Sequence, residues 1–85
     1  MYYVYVLKST VDEKLYIGFT GDLRRRFQEH NSGKSTSTSY RRPLVLVYYE
    51  AYTSRADAFE RERKLKHFQN SYKQLKKRIG RSIEL

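Results

Sequence analysis

Tyr2-Tyr3-Val4-Tyr5-Val6-Leu7-Lys8, followed after a polar interval by Lys14-Leu15-Tyr16-Ile17-Gly18, is the stretch that decides the fold. The first run is β-branched and aromatic, and Ser9-Thr10-Val11-Asp12-Glu13 is polar enough to reverse the chain, so the two runs predict a β-hairpin. With Tyr5 facing Tyr16, Tyr3 faces Gly18 and Leu7 faces Lys14. A period of two then places Tyr3, Tyr5, Tyr16 and Gly18 on one side of the sheet. A third strand is expected at Leu44-Val45-Leu46-Val47-Tyr48-Tyr49, whose unbroken apolar character suits a strand covered on both faces.

Between and after the strands the pattern turns helical. Thr20 or Asp22 can cap a helix through Leu23–His30, anchored by Leu23 and Phe27 and stopped by Gly33. At 100° per residue Arg26 and His30 flank its apolar stripe as i,i+4 neighbours, while Arg25 points the opposite way and Arg24 to the other side. Ser32–Arg42 reads as a Ser/Thr-rich connector. Ser54, with Asp57 three positions on, resembles a capping box and opens a second helix to about Phe68. A short third helix follows an Asn70 or Ser71 cap, with Tyr72, Leu75 and Ile79 inward, Lys73, Lys76, Lys77 and Arg78 outward, and Gly80 as its stop.

Eighty-five residues make one domain at most, with a small core. At 39% apolar and 15% aromatic residues the chain is too hydrophobic to be disordered. Eighteen Lys and Arg against nine Asp and Glu leave a net charge of +9, which points to a polyanionic partner. Residues 51–85 carry +6 of that charge and residues 1–50 carry +3. The absence of cysteine excludes disulfides, thiol catalysis and Cys-containing zinc sites. No apolar run approaches a membrane span, and the opening residues read as a strand rather than a cleavable signal, so the expectation is a cytoplasmic protein with no membrane partner.

One carboxylate breaks the helical pattern. Ala58, Glu62 and Leu65 fall at i, i+4 and i+7, with Phe59 three residues before Glu62, so Glu62 sits on the apolar stripe of the second helix. Either its stem snorkels to water or pairs with an arginine, or it serves as a metal ligand or catalytic group. Glu60 points away and is the internal control. Strand tyrosines are commonly core filler, and the Arg24-Arg25-Arg26 run is commonly a solvated face, although guanidinium groups suit phosphate. No zinc-binding histidine spacing and no glycine-rich phosphate loop occurs.

Taken in order, Tyr3-Val4-Tyr5, Tyr16-Ile17-Gly18, Arg26, His30, and Glu62 within Glu60-Arg61-Glu62-Arg63-Lys64-Leu65-Lys66 resemble the GIY-YIG nuclease domain over nearly the whole chain. The stretches Tyr16-Ile17-Gly18-Phe19-Thr20, Glu29-His30-Asn31-Ser32-Gly33 and Arg41-Arg42-Pro43-Leu44 are similar to those of its small stand-alone bacterial members. The resemblance implies an α+β fold, a small three-stranded antiparallel sheet flanked by about three α-helices, forming one domain over residues 1–80 with a tail at 81–85. It implies a DNA endonuclease that hydrolyses phosphodiesters with one divalent cation, Mg²⁺ or Mn²⁺, acting on duplex, branched or single-stranded DNA in repair or processing.

Carried over by position, Glu62 is the metal ligand, Arg26 the cation that stabilises the transition state, and His30 an accessory proton or phosphate contact. Tyr5 and Tyr16 are the motif tyrosines, one orienting or deprotonating the attacking water and the other contacting metal-bound water or phosphate. A tyrosine can act as a base near neutrality only where adjacent cations lower its pKa. Arg24, Lys34, Arg41, Arg42, Lys64, Lys66, Lys73, Lys76 and Lys77 are the expected nucleic-acid contacts of a monomer or weak homodimer. The chain departs from the family pattern in having Tyr3 where the namesake motif has glycine, and Asn70 does not match the late asparagine of longer relatives. The alternative reading is a non-catalytic DNA- or RNA-binding module that retains the fold.

Overall fold

The computed structural model describes residues 1–84, so Leu85, the last residue of the expected tail, lies outside the described residues. Three antiparallel strands form one sheet, β1 (Tyr2–Ser9), β2 (Leu15–Thr20) and β3 (Leu44–Tyr52), in the order β2-β1-β3. The middle strand is β1, and its alternation sorts the core into two layers. Val4 and Val6 pack with Ile17, Ala58, Leu65, Leu75 and Ile79 on one face. Tyr5 and Leu7 pack with Leu44, Tyr16, Leu23, Phe27 and Leu46 on the other.

Two strand expectations need correction. The observed register pairs Tyr5 with Gly18, Leu7 with Tyr16 and Tyr3 with Thr20, two residues from the expected pairing. Because the slip is even, every side chain keeps its expected face. The strand covered on both sides is β1, whereas β3 lies at the edge with Val45 45% and Tyr49 52% exposed. Its continuous run is rich in tyrosine, which tolerates a wet rim, and periodicity alone does not separate such a run from a buried strand.

The first helix, α1 (Leu23–Ser32), starts at Asp22, whose carboxylate accepts the Arg25 N–H. Thr20 supports the same turn by accepting the Asp22 N–H. Gly33 ends α1 in the left-handed conformation at φ 86°, as expected of its position. The connector holds a single 3₁₀ turn, Ser39–Arg41. The second helix, α2 (Arg55–His67), is capped by the Ser54 hydroxyl, which accepts the Asp57 N–H.

The third helix, α3 (Gln69–Arg78), begins without a side-chain cap, so Asn70 and Ser71 lie inside it rather than before it. Phe68 serves both helices, giving its N–H to the Lys64 carbonyl and accepting the Tyr72 N–H on its own. Gly80 does not stop the chain's helical path but opens a fourth short helix, α4 (Gly80–Glu84). Ile83 packs against the core there, and its carbonyl accepts a hydrogen bond from the Lys8 ammonium, which repays the extra turn with both apolar and polar contacts. Among the described residues no helix is long and apolar enough to cross a membrane.

Candidate active site

The site is built around Tyr5, at the centre of the middle strand and only 1% exposed. Its ring lies across Gly18, where an added Cβ would stand 2.2 Å from Cζ and Oη of Tyr5. Glycine is therefore required opposite Tyr5, a reason the observed register makes visible. The Tyr5 hydroxyl shares a 2.9 Å hydrogen bond with Nε2 of His30, and Nδ1 of His30 shares one of 2.8 Å with the Thr38 hydroxyl. His30 and Thr38 are both fully buried. Burial, aided by the Arg26 charge, pushes the imidazole down to about 4, so His30 is neutral near pH 7 with one ring nitrogen donating and the other accepting. Burial and the neighbouring Tyr16 push the Tyr5 phenol up to about 12. Arg26 acts in the expected lowering direction there but is outweighed by desolvation.

The helical phase of α1 separates its arginines as expected, with the Arg25 side chain 75% exposed and that of Arg26 33%. Arg26 donates to Glu29 at 3.1 Å and to the Ser35 hydroxyl at 3.4 Å, while its guanidinium stands beside Tyr5. Tyr16, half-buried on β2, lies 5.0 Å from the His30 ring and 6.5 Å from the Tyr5 ring between centroids. From α2, Glu62 approaches closely enough to raise the Tyr5 pKa through its charge. Its carboxylate is 3.0 Å from the Lys66 ammonium, which also lies 5.8 Å from the Tyr16 ring centroid. The five expected residues, Tyr5, Tyr16, Arg26, His30 and Glu62, thus meet from β1, β2, α1 and α2.

Glu60, two residues away and so ~200° around the helix, forms an exposed 3.5 Å pair with Lys64, as a surface control should. Glu62 supplies hard oxygen donors, which in this structure are paired with the Lys66 ammonium. Among the described residues no three His, Cys, Asp or Glu side chains gather to hold a metal. A cation there would rest on one protein carboxylate, with water and phosphate oxygens completing its shell. That is a donor set Mg²⁺ tolerates, so the residues fit the group.

Three framework contacts hold these side chains, and sequence reading missed them. Thr38 and Ser35 come from the Ser/Thr-rich connector, where nothing in the local pattern distinguishes inward from outward hydroxyls. Asn31, the residue after His30, clamps the start of β3: its side-chain amide donates to the Leu44 carbonyl at 2.9 Å and accepts the Leu44 N–H at 2.8 Å. The third is a partly buried ion pair between α2 and β3. Arg61 donates through Nε and Nη2 to both oxygens of Glu50 at 2.9 and 3.0 Å. Glu50 also accepts from the hydroxyls of Tyr48 and Tyr52. Burial opposes the Glu50 charge, but Arg61 and the two phenols hold its carboxyl below the ordinary range. Because Arg61 precedes Glu62, this bidentate anchor fixes the rotation of α2 that turns Glu62 toward the tyrosines.

The expected nucleic-acid contacts divide by exposure. Arg24, Lys34, Lys64, Lys73, Lys76 and Lys77 are exposed. Arg42 is exposed too, with Nε donating to the Ser39 carbonyl. Arg41 is different: its side chain is only 13% exposed and pairs with Asp12 at 3.2 Å, so it braces the hairpin loop. Lys66 is taken up by Glu62.

The sheet thus presents one tyrosine from each of two neighbouring strands beside an arginine and a histidine one helical turn apart and a glutamate on a later helix. The GIY-YIG catalytic domain matches residues 1–77, and the chain belongs to that family. It is 41% identical over 73 residues to a UPF0213 protein of Staphylococcus haemolyticus, covering 85% of this chain and 88% of that protein. It is 39% identical over 74 residues to a UPF0213 protein of Haloquadratum walsbyi, covering 86% and 82%. The solution NMR structure of the UPF0213 protein BH0048 from Bacillus halodurans is 37% identical, with a TM-score of 0.56 over 88% of this chain and 82% of that one.

Proposed function

We propose that this protein is an endonuclease that hydrolyses phosphodiester bonds in DNA, using one divalent cation, Mg²⁺ or Mn²⁺, held by Glu62. The observation that carries this reading is the convergence of two phenols, a guanidinium, a neutral imidazole and a carboxylate from four elements of a GIY-YIG domain. When bound, the cation supplies Lewis-acid stabilisation of the phosphate charge. Arg26, partly exposed beside Tyr5, stabilises the negative charge that builds on the phosphate in the transition state. Tyr5 keeps its proton in the free protein, and His30, neutral and hydrogen-bonded to the phenol oxygen, orients that phenol in the site. Thr38 fixes the imidazole through its other ring nitrogen, and half-buried Tyr16 orients water or phosphate beside it.

The +9 charge and the exposed lysines of α3 support a polyanionic substrate, and we assign the protein to DNA repair or processing on branched or single-stranded DNA. The test is incubation with single-stranded, duplex, flap and junction DNAs, with metal and with chelator. Glu62→Gln should abolish metal-dependent cleavage while DNA binding persists, and Glu60→Gln should cleave nearly normally. A Glu62→Gln protein that cuts at the wild-type rate with the same metal dependence would leave a nucleic-acid-binding module in place of an enzyme.

A further inference from the structure

We propose that Lys66 is a built-in counter-cation of the site: it holds the Glu62 carboxylate in the free protein and must release it before a divalent cation can bind. This rests on the reading of Glu62 as the metal ligand. The Lys66 ammonium is 3.0 Å from Glu62 Oε2 and faces the Tyr16 ring at 5.8 Å, so it bridges the carboxylate and a motif tyrosine. The Glu62 side chain is only 17% exposed, and Lys66 is its ion-pair partner among the described residues. The neighbouring Glu60–Lys64 pair has the same i,i+4 spacing but is looser, at 3.5 Å with side chains 59% and 52% exposed, and faces solvent away from the tyrosines.

A carboxylate with only 17% of its side chain exposed gains from a positive partner beside it. Lysine suits a partner that has to leave, because its ammonium is a point charge on a flexible stem rather than a rigid fork. A second cation entering beside it meets like-charge repulsion, so metal and Lys66 compete for one carboxylate. A substrate phosphate offers the displaced ammonium a new anion one side-chain length away. The positioning role of Lys66 therefore has two parts: it keeps Glu62 oriented toward Tyr16 when no metal is present, and it weakens metal binding until a phosphate arrives.

Mn²⁺ binding to the DNA-free protein, followed by loss of the free-ion signal in electron paramagnetic resonance, tests this without any cleavage assay. Lys66→Met should bind Mn²⁺ about tenfold more tightly than the wild type, whereas Lys66→Arg, which restores the charge, should bind as weakly as the wild type. Lys64→Met removes an equal charge from the opposite side of the helix, ~200° around, and should leave affinity within about twofold. Circular dichroism reports whether each variant is folded. If Lys66→Met is no tighter than the wild type while Glu62→Gln abolishes binding, the counter-cation role is wrong and the metal site stands. Equal tightening in Lys64→Met would reduce the effect to net charge and overturn the proposal. If Mn²⁺ binding is the same in Glu62→Gln as in the wild type, the metal-ligand reading falls and this proposal with it.

Discussion

Gly18→Ala tests the packing at the heart of the site. The new Cβ would overlap Cζ and Oη of Tyr5 at 2.2 Å and Cε2 at 2.7 Å, and Tyr5, 1% exposed beneath α1, has no free space into which its ring can swing. Forcing one methyl into a filled core costs about 1–3 kcal/mol, and moving the phenol off His30 adds about 1 kcal/mol for the lost hydrogen bond. The expected destabilisation is therefore about 2–4 kcal/mol, and a domain this small loses ~4–8 °C of melting temperature per kcal/mol. Thermal and urea melts measure it directly. The decisive comparison is a double-mutant cycle with Tyr5→Leu, which removes the ring that the alanine strikes. In that background Gly18→Ala should cost less than about 0.5 kcal/mol, because alanine in a strand is otherwise as good as glycine or better. Equal costs in the two backgrounds would refute the close approach of Tyr5 and Gly18.

His30, held to about 4 when folded against 6.5 unfolded, is protonated first in the unfolded chain as pH falls. Its contribution is full above pH 6.5 and is lost on acidification toward pH 4, by up to about 3 kcal/mol. Urea melts across that window should show the loss in the wild type and a flatter profile in His30→Asn. In single-turnover assays Arg26→Ala should lower the rate by on the order of 10²–10³, whereas Arg25→Ala should act on affinity; matching behaviour would mean the helix phase is wrong. DNA affinity should fall steeply with salt, and replacing Lys76 and Lys77 together should shallow the log–log slope by about 2 while cleavage at saturating protein is kept. An unchanged slope would remove those lysines from the interface.

What the sequence made legible follows from which features are periodic. Strand alternation put Tyr5, Tyr16 and Gly18 on one face, and even a two-residue register error left that intact. Helix phase singled out Arg26 over Arg25 and Glu62 over Glu60, because a 100° step is a strong local rule. The register itself depends on a contact between a ring and a glycine across strands, which no single-strand pattern encodes. The third strand was expected to be covered on both faces because its run is unbroken and apolar, and it misled because Tyr48 packs its ring on the core while turning its hydroxyl to Glu50. Glu50 itself escaped notice in a strand, although its side chain, 14% exposed, is as covered as that of Glu62. Lys66 was readable as the i+4 neighbour of Glu62, but its general reading as a phosphate contact obscured the local pair. Thr38 lay beyond periodic reasoning, since loops place side chains through tertiary contacts.

Ser35 and Thr38, which hold Arg26 and His30, are the two ends of one turn closed by the Thr38 N–H on the Ser35 carbonyl at 3.2 Å. A guanidinium and an imidazole one helical turn apart are thus gripped by a single four-residue handle whose middle residues, Thr36 and Ser37, are exposed. The two site residues then share their epistasis. A substitution at the tip that reshapes the turn loosens both together, and once it is present, removing Ser35 or Thr38 has little left to disturb. Activity in such a series should drop in one step and then level off, so this short hydroxyl-rich turn is a place where a single surface change can tune the whole site.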